Sequence, residues 1–215
     1  MLLFVEAIII YSLLFLSGVR FPVMNSGLAS PVIEFSLNNE ISKLVLRNIP
    51  ALALVFYILL TSGAAIPRLK IKLRDLGWAF IGLSGLAIIA SLLGFIMNSQ
   101  NQAAFEYKTP ANLLAWFVLV LSLISVAYLE EAYFRLYLFY RLDISLKSIF
   151  FLSVLFFGLS HLYEGLWGFL NAILAGAFLS VLFLKTKSFH GIAWAHGLYN
   201  ILVYMYAYIT HGPGN

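Results

Sequence analysis

Apolar residues make up 62% of the 215-residue chain and charged residues only 10%, with a mean hydropathy of +0.96. A soluble domain is about one quarter charged, so a water-soluble globule is excluded and an all-α, polytopic transmembrane helix bundle is expected, one domain over residues 1–215. Cysteine is absent, which removes disulfides, thiol nucleophiles and thiolate metal sites, and the net charge of +4 is scattered through short loops rather than gathered in a nucleic-acid-binding tract.

Seven apolar runs follow in order, so about seven spans are expected. Leu2–Val19 is broken once, by Glu6. It has no basic n-region, no A-x-A site follows, and Arg20-Phe21-Pro22 is a poor cleavage region, so it reads as a retained helix rather than a signal peptide. Residues 20–48 form a long polar connection with turns marked by Pro22, Asn25, Gly27, Pro31, Asn38 and Asn39. Ile41–Arg47 reads as a short interfacial helix ahead of the second span, Ile49–Ile66. The segment Pro67–Asp75 alternates basic and apolar residues and reads as a stop signal on the cytoplasmic side rather than a lipid-tail contact.

The third span is Trp78–Met97, followed by a polar loop, Asn98–Pro110. The fourth begins at Ala111 and continues through Glu130 and Arg135 to Leu142. Its first nineteen residues, Ala111 to Leu129, carry no charge, which is enough helix to cross a bilayer. The fifth is Ser148–Tyr163, the sixth Gly165–Leu184 and the seventh Phe189–Ile209. With a cytoplasmic N-terminus, nine of the thirteen Lys and Arg fall inside and four outside. That bias predicts a cell-membrane protein with its N-terminus in the cytoplasm and its C-terminus outside. No internal repeat is visible, so an inverted-repeat transporter gains no support.

Polar residues at lipid depth are costly and mark function by default. Glu130 and Glu131 end the uncharged run. His161 is expected in the fifth span, Asn171 in the sixth, His196 and Asn200 in the seventh. The midpoint of Glu130 and His161 falls between Ser145 and Leu146, inside the turn Asp143–Lys147. In an antiparallel hairpin the two groups are therefore level, roughly 20–25 Å from the turn at about 1.5 Å per residue. The charge on Arg135 suggests that the hairpin protrudes, and the cytoplasmic charges near Glu130 suggest access from that side. Glu131 and Arg135 are i,i+4 with the acid first, the better order for an ion pair. That leaves Glu130 free to face a cavity.

His196 and Asn200 share a helical face and suit an anchor for an oxyanion, although interhelical hydrogen bonding explains such a pair equally well. Phe157 and His161 repeat the spacing, with Phe157 read as packing. Tyr133, Tyr137 and Tyr140 read as an interfacial belt, and Glu164 as solvated. Asn171 reads as a helix-packing hydrogen bonder. His190 and His211 receive no role.

A Glu, two His and an Asn around a membrane cavity point to hydrolysis by an activated water. Glu130 with His161 would polarise the water, and His196 with Asn200 would hold the oxyanion. No Gly-x-Ser-x-Gly elbow and no His-Glu-x-x-His occur. A zinc site from His161, His196 and a Glu is the second choice; the first uses no metal and no cofactor.

Glu130-Glu131-x-x-x-Arg135, Phe157-x-x-x-His161 and His196-x-x-x-Asn200, in that order on successive membrane helices, resemble the CPBP family. These are the CAAX-prenyl-protease and bacteriocin-processing proteins, also called the Abi family of intramembrane glutamic endopeptidases. The resemblance covers residues 111–205. It implies Glu130 and His161 as the water-activating pair, His196 and Asn200 as the oxyanion hole, and Glu131, Arg135 and Phe157 as supports. The implied substrate is a membrane-associated or lipidated peptide or protein. Two other functions compete: a non-catalytic bacteriocin-immunity or membrane scaffold protein, and a small proton-coupled transporter with Glu130 and His161 as relay.

Overall fold

A computed structural model describes residues 2–16, 32–67, 69–99 and 106–212. Among them are seven helices: α1 (Leu2–Leu16), α2 (Leu37–Thr61), α3 (Leu73–Ser99), α4 (Leu113–Arg141), α5 (Leu146–Leu159), α6 (Gly165–Thr186) and α7 (Phe189–His211). The fold is all-α and that of a membrane protein. By length and composition, α2, α3, α4 and the segment Leu162–Thr186 suit a bilayer crossing, whereas α1 and α5 are apolar but shorter. Expected turns at Pro22, Asn25, Gly27 and Pro31 lie outside the described residues, as does Arg68.

Several boundaries differ from the sequence reading, each for a local reason. The interfacial helix and the second span are one helix, α2, which also takes in Asn38 and Asn39. It widens over Lys43–Asn48, where the Ile49 amide reaches back five residues to the Leu44 carbonyl. Pro50 follows at once, has no amide to donate and crowds the turn below it, and the wider turn relieves that. A two-residue parallel pair, Val32–Ile33 with Glu106–Tyr107, joins the two long connections.

The fifth helix ends at Leu159 rather than Tyr163. The Ser160 hydroxyl and the His161 Nδ1 both turn to the Phe157 carbonyl, at 2.7 and 2.9 Å, and so compete with the helical ladder. A single tight turn, Leu162–Glu164, then leads through Gly165 (φ 78°) into α6.

α7 packs against α3 and α4, and α6 pairs with α5. The α3–α7 approach is close because Gly82 faces Ala195: a Cβ at Gly82 would lie 2.6 Å from the Ala195 Cβ. Gly82→Ala is therefore expected to lower stability by about 1–3 kcal/mol, read as an earlier thermal transition in detergent. An unchanged transition would mean that the two helices are not held at this distance.

Two of the three tyrosines expected in an interfacial belt are internal, whereas Tyr140 is half-buried. Tyr133 and Tyr137 are fully buried and stack on each other with centroids 5.3 Å apart. Their hydroxyls donate to the Ala7 carbonyl at 2.7 Å and to Glu6 Oε1 at 2.8 Å. Glu6, which interrupts the first apolar run, also takes both Nε and Nη2 of Arg141 at 3.2 Å. These bonds pin α1 to the C-terminal end of α4, and they explain an acid inside an otherwise lipid-compatible segment.

Candidate active site

The site is built on α4. Asn112 caps its start by accepting the Ala115 amide at 3.0 Å, and the helix runs regularly to Glu131 before widening over Ala132–Tyr137. Such wide turns inside α-helices often accompany functional sites. Here it carries Arg135 directly beneath the two acids.

Arg135 is fully buried rather than protruding. Its Nε lies 3.1 Å from Glu131 Oε2, close enough for ionic attraction although the N–H does not aim at the oxygen. Nη2 donates to the Gly176 carbonyl at 3.1 Å, and the guanidinium lies over the Phe157 ring, 4.8 Å from its centroid. Phe157 is thus more than packing. Its ring also meets His161 at 4.8 Å and His196 at 5.7 Å between centroids. Gly176 leaves room for it, since a Cβ there would approach Phe157 Cδ1 to 2.9 Å.

Glu131 holds His196. Its Oε1 is 2.9 Å from His196 Nδ1. A carboxylate accepts, so the imidazole donates from Nδ1, and its Nε2 is turned to Glu130 Oε2 at 3.6 Å. His196 therefore stands between both acids, an association that helical spacing within α7 does not reveal. His161 is oriented in the same manner: its Nδ1 donates to the Phe157 carbonyl, leaving Nε2 for another partner.

Glu130, His161, His196 and Asn200 all line one cavity of about 400 Å³. Asn171 lines it too, beside Tyr199. Along the chain the lining passes from Glu130 directly to Phe157, so the cavity does not extend toward the Arg141 end. It extends the other way, to Ile33, Glu40, Tyr107 and Tyr204. Glu164, expected to be solvated, lines it as well.

Sequence reasoning missed the α2 wall. Glu40 is buried, accepts the Ser122 hydroxyl at 2.7 Å and pairs with Lys43. Asn48 donates to Ser125 at 2.9 Å. His190 also has partners after all, with Nε2 bonded to the Leu69 carbonyl and Nδ1 facing the Tyr128 hydroxyl, each at 3.0 Å. Among the described residues no three imidazole or carboxylate groups converge as metal ligands.

Residues 111–202 match the family model for type II CAAX prenyl endopeptidase Rce1-like proteins. Over this segment the chain is similar to the Rce1-like proteins of the CPBP family. No curated protein and no solved structure matches the chain. The Rce1-like segment includes Glu130, Glu131, Arg135, Phe157, His161, His196 and Asn200. The family is one of proteases, and the chain's long apolar helices are those of a membrane protein. The α2 wall of the cavity lies outside the Rce1-like segment.

Proposed function

We propose that the chain is an intramembrane endopeptidase that hydrolyses a peptide bond of a membrane-associated or lipidated peptide or protein, with a water activated by Glu130 and His161. The observation that carries this reading is the asymmetry of the two acids. Glu131 is committed to Arg135 and His196, whereas Glu130 faces a cavity that also holds His161 and Asn200.

In this mechanism Glu130 takes a proton from a water that also donates to His161 Nε2. The hydroxide adds to the scissile carbonyl carbon. The oxyanion then accepts from the Asn200 amide and from His196 Nε2–H. Donation to the oxyanion from Nε2 while Nδ1 is held by Glu131 uses both ring nitrogens of His196 as donors. Collapse of the intermediate breaks the C–N bond, and Glu130 returns its proton to the leaving amine. This scheme uses no metal, and the role of His196 depends on Glu131 holding its other nitrogen.

We further propose a multi-pass arrangement in the cell membrane with a cytoplasmic N-terminus, supported by the distribution of Lys and Arg. In that arrangement the cavity lining reaches toward the non-cytoplasmic end, where α2 begins and α7 finishes.

The test uses purified protein in nanodiscs with prenylated and unprenylated membrane peptides, with and without a strong chelator. Cleavage that resists the chelator, and falls about 10²–10³-fold in Asn200→Ala, is the expected result. Loss on chelation with rescue by zinc would move water activation to a metal. Failure of the wild type to cut any peptide would sink the protease reading and leave a binding or immunity role ahead.

A further inference from the structure

The end of the cavity away from Glu130 has its own chemistry. Tyr107, Tyr163, Tyr199 and Tyr204 line it together with Glu164. Tyr107 and Tyr204 meet edge to face with centroids 5.1 Å apart, and Tyr163 stacks on His161 at 6.2 Å. Burial and the nearby Glu164 charge hold the Tyr107 phenol well above its usual range, so it stays neutral and its ring remains a cation acceptor.

Glu164 is placed by glycine. Gly165 adopts φ 78° and turns the chain into α6. Gly168 lies under the Glu164 side chain, where a Cβ would come within 2.2 Å of the Glu164 Cβ and 2.8 Å of its Oε2. The carboxylate rests at the N-terminus of α6, whose dipole favours its charge. Among the described residues no Lys or Arg pairs with it. The other cavity acid here, Glu40, is already neutralised by Lys43. Arg47 also lines the cavity, anchored by its Nη2 to the Leu14 carbonyl at 3.2 Å.

A carboxylate that no Lys or Arg among the described residues pairs with, set among several tyrosine rings, is the chemistry that receives a cation. We propose that Glu164 with Tyr107, Tyr163, Tyr199 and Tyr204 forms a subsite for a lysine or arginine side chain of the substrate peptide. The His161–Tyr163 spacing equals about two residues of extended chain, so the cationic side chain lies close to the scissile bond. This subsite deepens the protease reading and rests on it for the word substrate, but its test does not depend on cleavage.

Binding is measured at equilibrium in nanodiscs with the Glu130→Gln variant as background. The probe is a fluorescent membrane peptide of about 20 apolar residues with one lysine moved through its four C-terminal positions, against norleucine twins. The expected result is at least about tenfold tighter binding of one lysine peptide than of its twin. Adding Glu164→Gln should bring the pair together without weakening the norleucine peptide. If that variant loses both peptides, Tyr204→Leu carries the same comparison from α7. Equal binding of every pair, no binding at all, or discrimination that persists without Glu164 and Tyr204 overturns the proposal. Discrimination in a protein whose wild type cuts nothing would keep the subsite and remove the protease.

Discussion

Glu130→Gln is expected to lower peptide cleavage by about 10²–10⁴-fold, the range of a lost general base, while leaving the thermal transition near that of the wild type. The amide occupies the same volume and can still face His196 Nε2, so the cavity keeps its shape. It cannot take a proton from water. The matched control is Glu131→Gln, which disturbs the Arg135 pair and the His196 contact and should lower stability as well as turnover. The two acids are neighbours in sequence, so this contrast between function alone and function with fold separates their roles. Cleavage that survives Glu130→Gln would move the water to another base.

Arg135→Met is expected to cost about 3–5 kcal/mol of stability, because it strips the counter-charge from a buried carboxylate. Neither Arg135 nor Glu131 has any exposed side-chain surface. The guanidinium also supports the Phe157 ring, so packing contributes to the loss. Arg135→Met combined with Glu131→Gln separates the two terms. Recovery of most of the stability would assign the loss to the stranded charge; no recovery would assign it to the ring contact. Calorimetry or a fluorescence melt in detergent reads either result.

The membrane helices and the ordered polar motifs were legible because lipid depth makes each polar residue conspicuous. Level placement of Glu130 and His161 followed from hairpin symmetry, and both do line one cavity even though α5 stops short of His161. What stayed hidden depends on partners from distant helices. Helical spacing grouped His196 with Asn200, yet its short contact is to Glu131. Hydropathy placed Tyr133 and Tyr137 at an interface, because an aromatic ring with a hydroxyl suits both an interface and a core that supplies an acceptor. Here Ala7 and Glu6 supply it. That Glu164 lines the cavity was hidden because nothing in its local sequence marks the missing Cβ of Gly168 as the space beside its side chain.

α7 carries His196 and Asn200 and is less apolar than the four long candidate spans. Its position is held by packing on α3 and α4, both synthesised before it. Biogenesis therefore has a direction: a ribosome delivers this helix to a surface already prepared by its partners. Until it docks, Glu131 lacks its imidazole and the cavity lacks a wall. The cavity is thereby kept incomplete through most of translation, and a lesion on the receiving faces of α3 or α4 is expected to present as a defect of insertion before any change at the site could be measured.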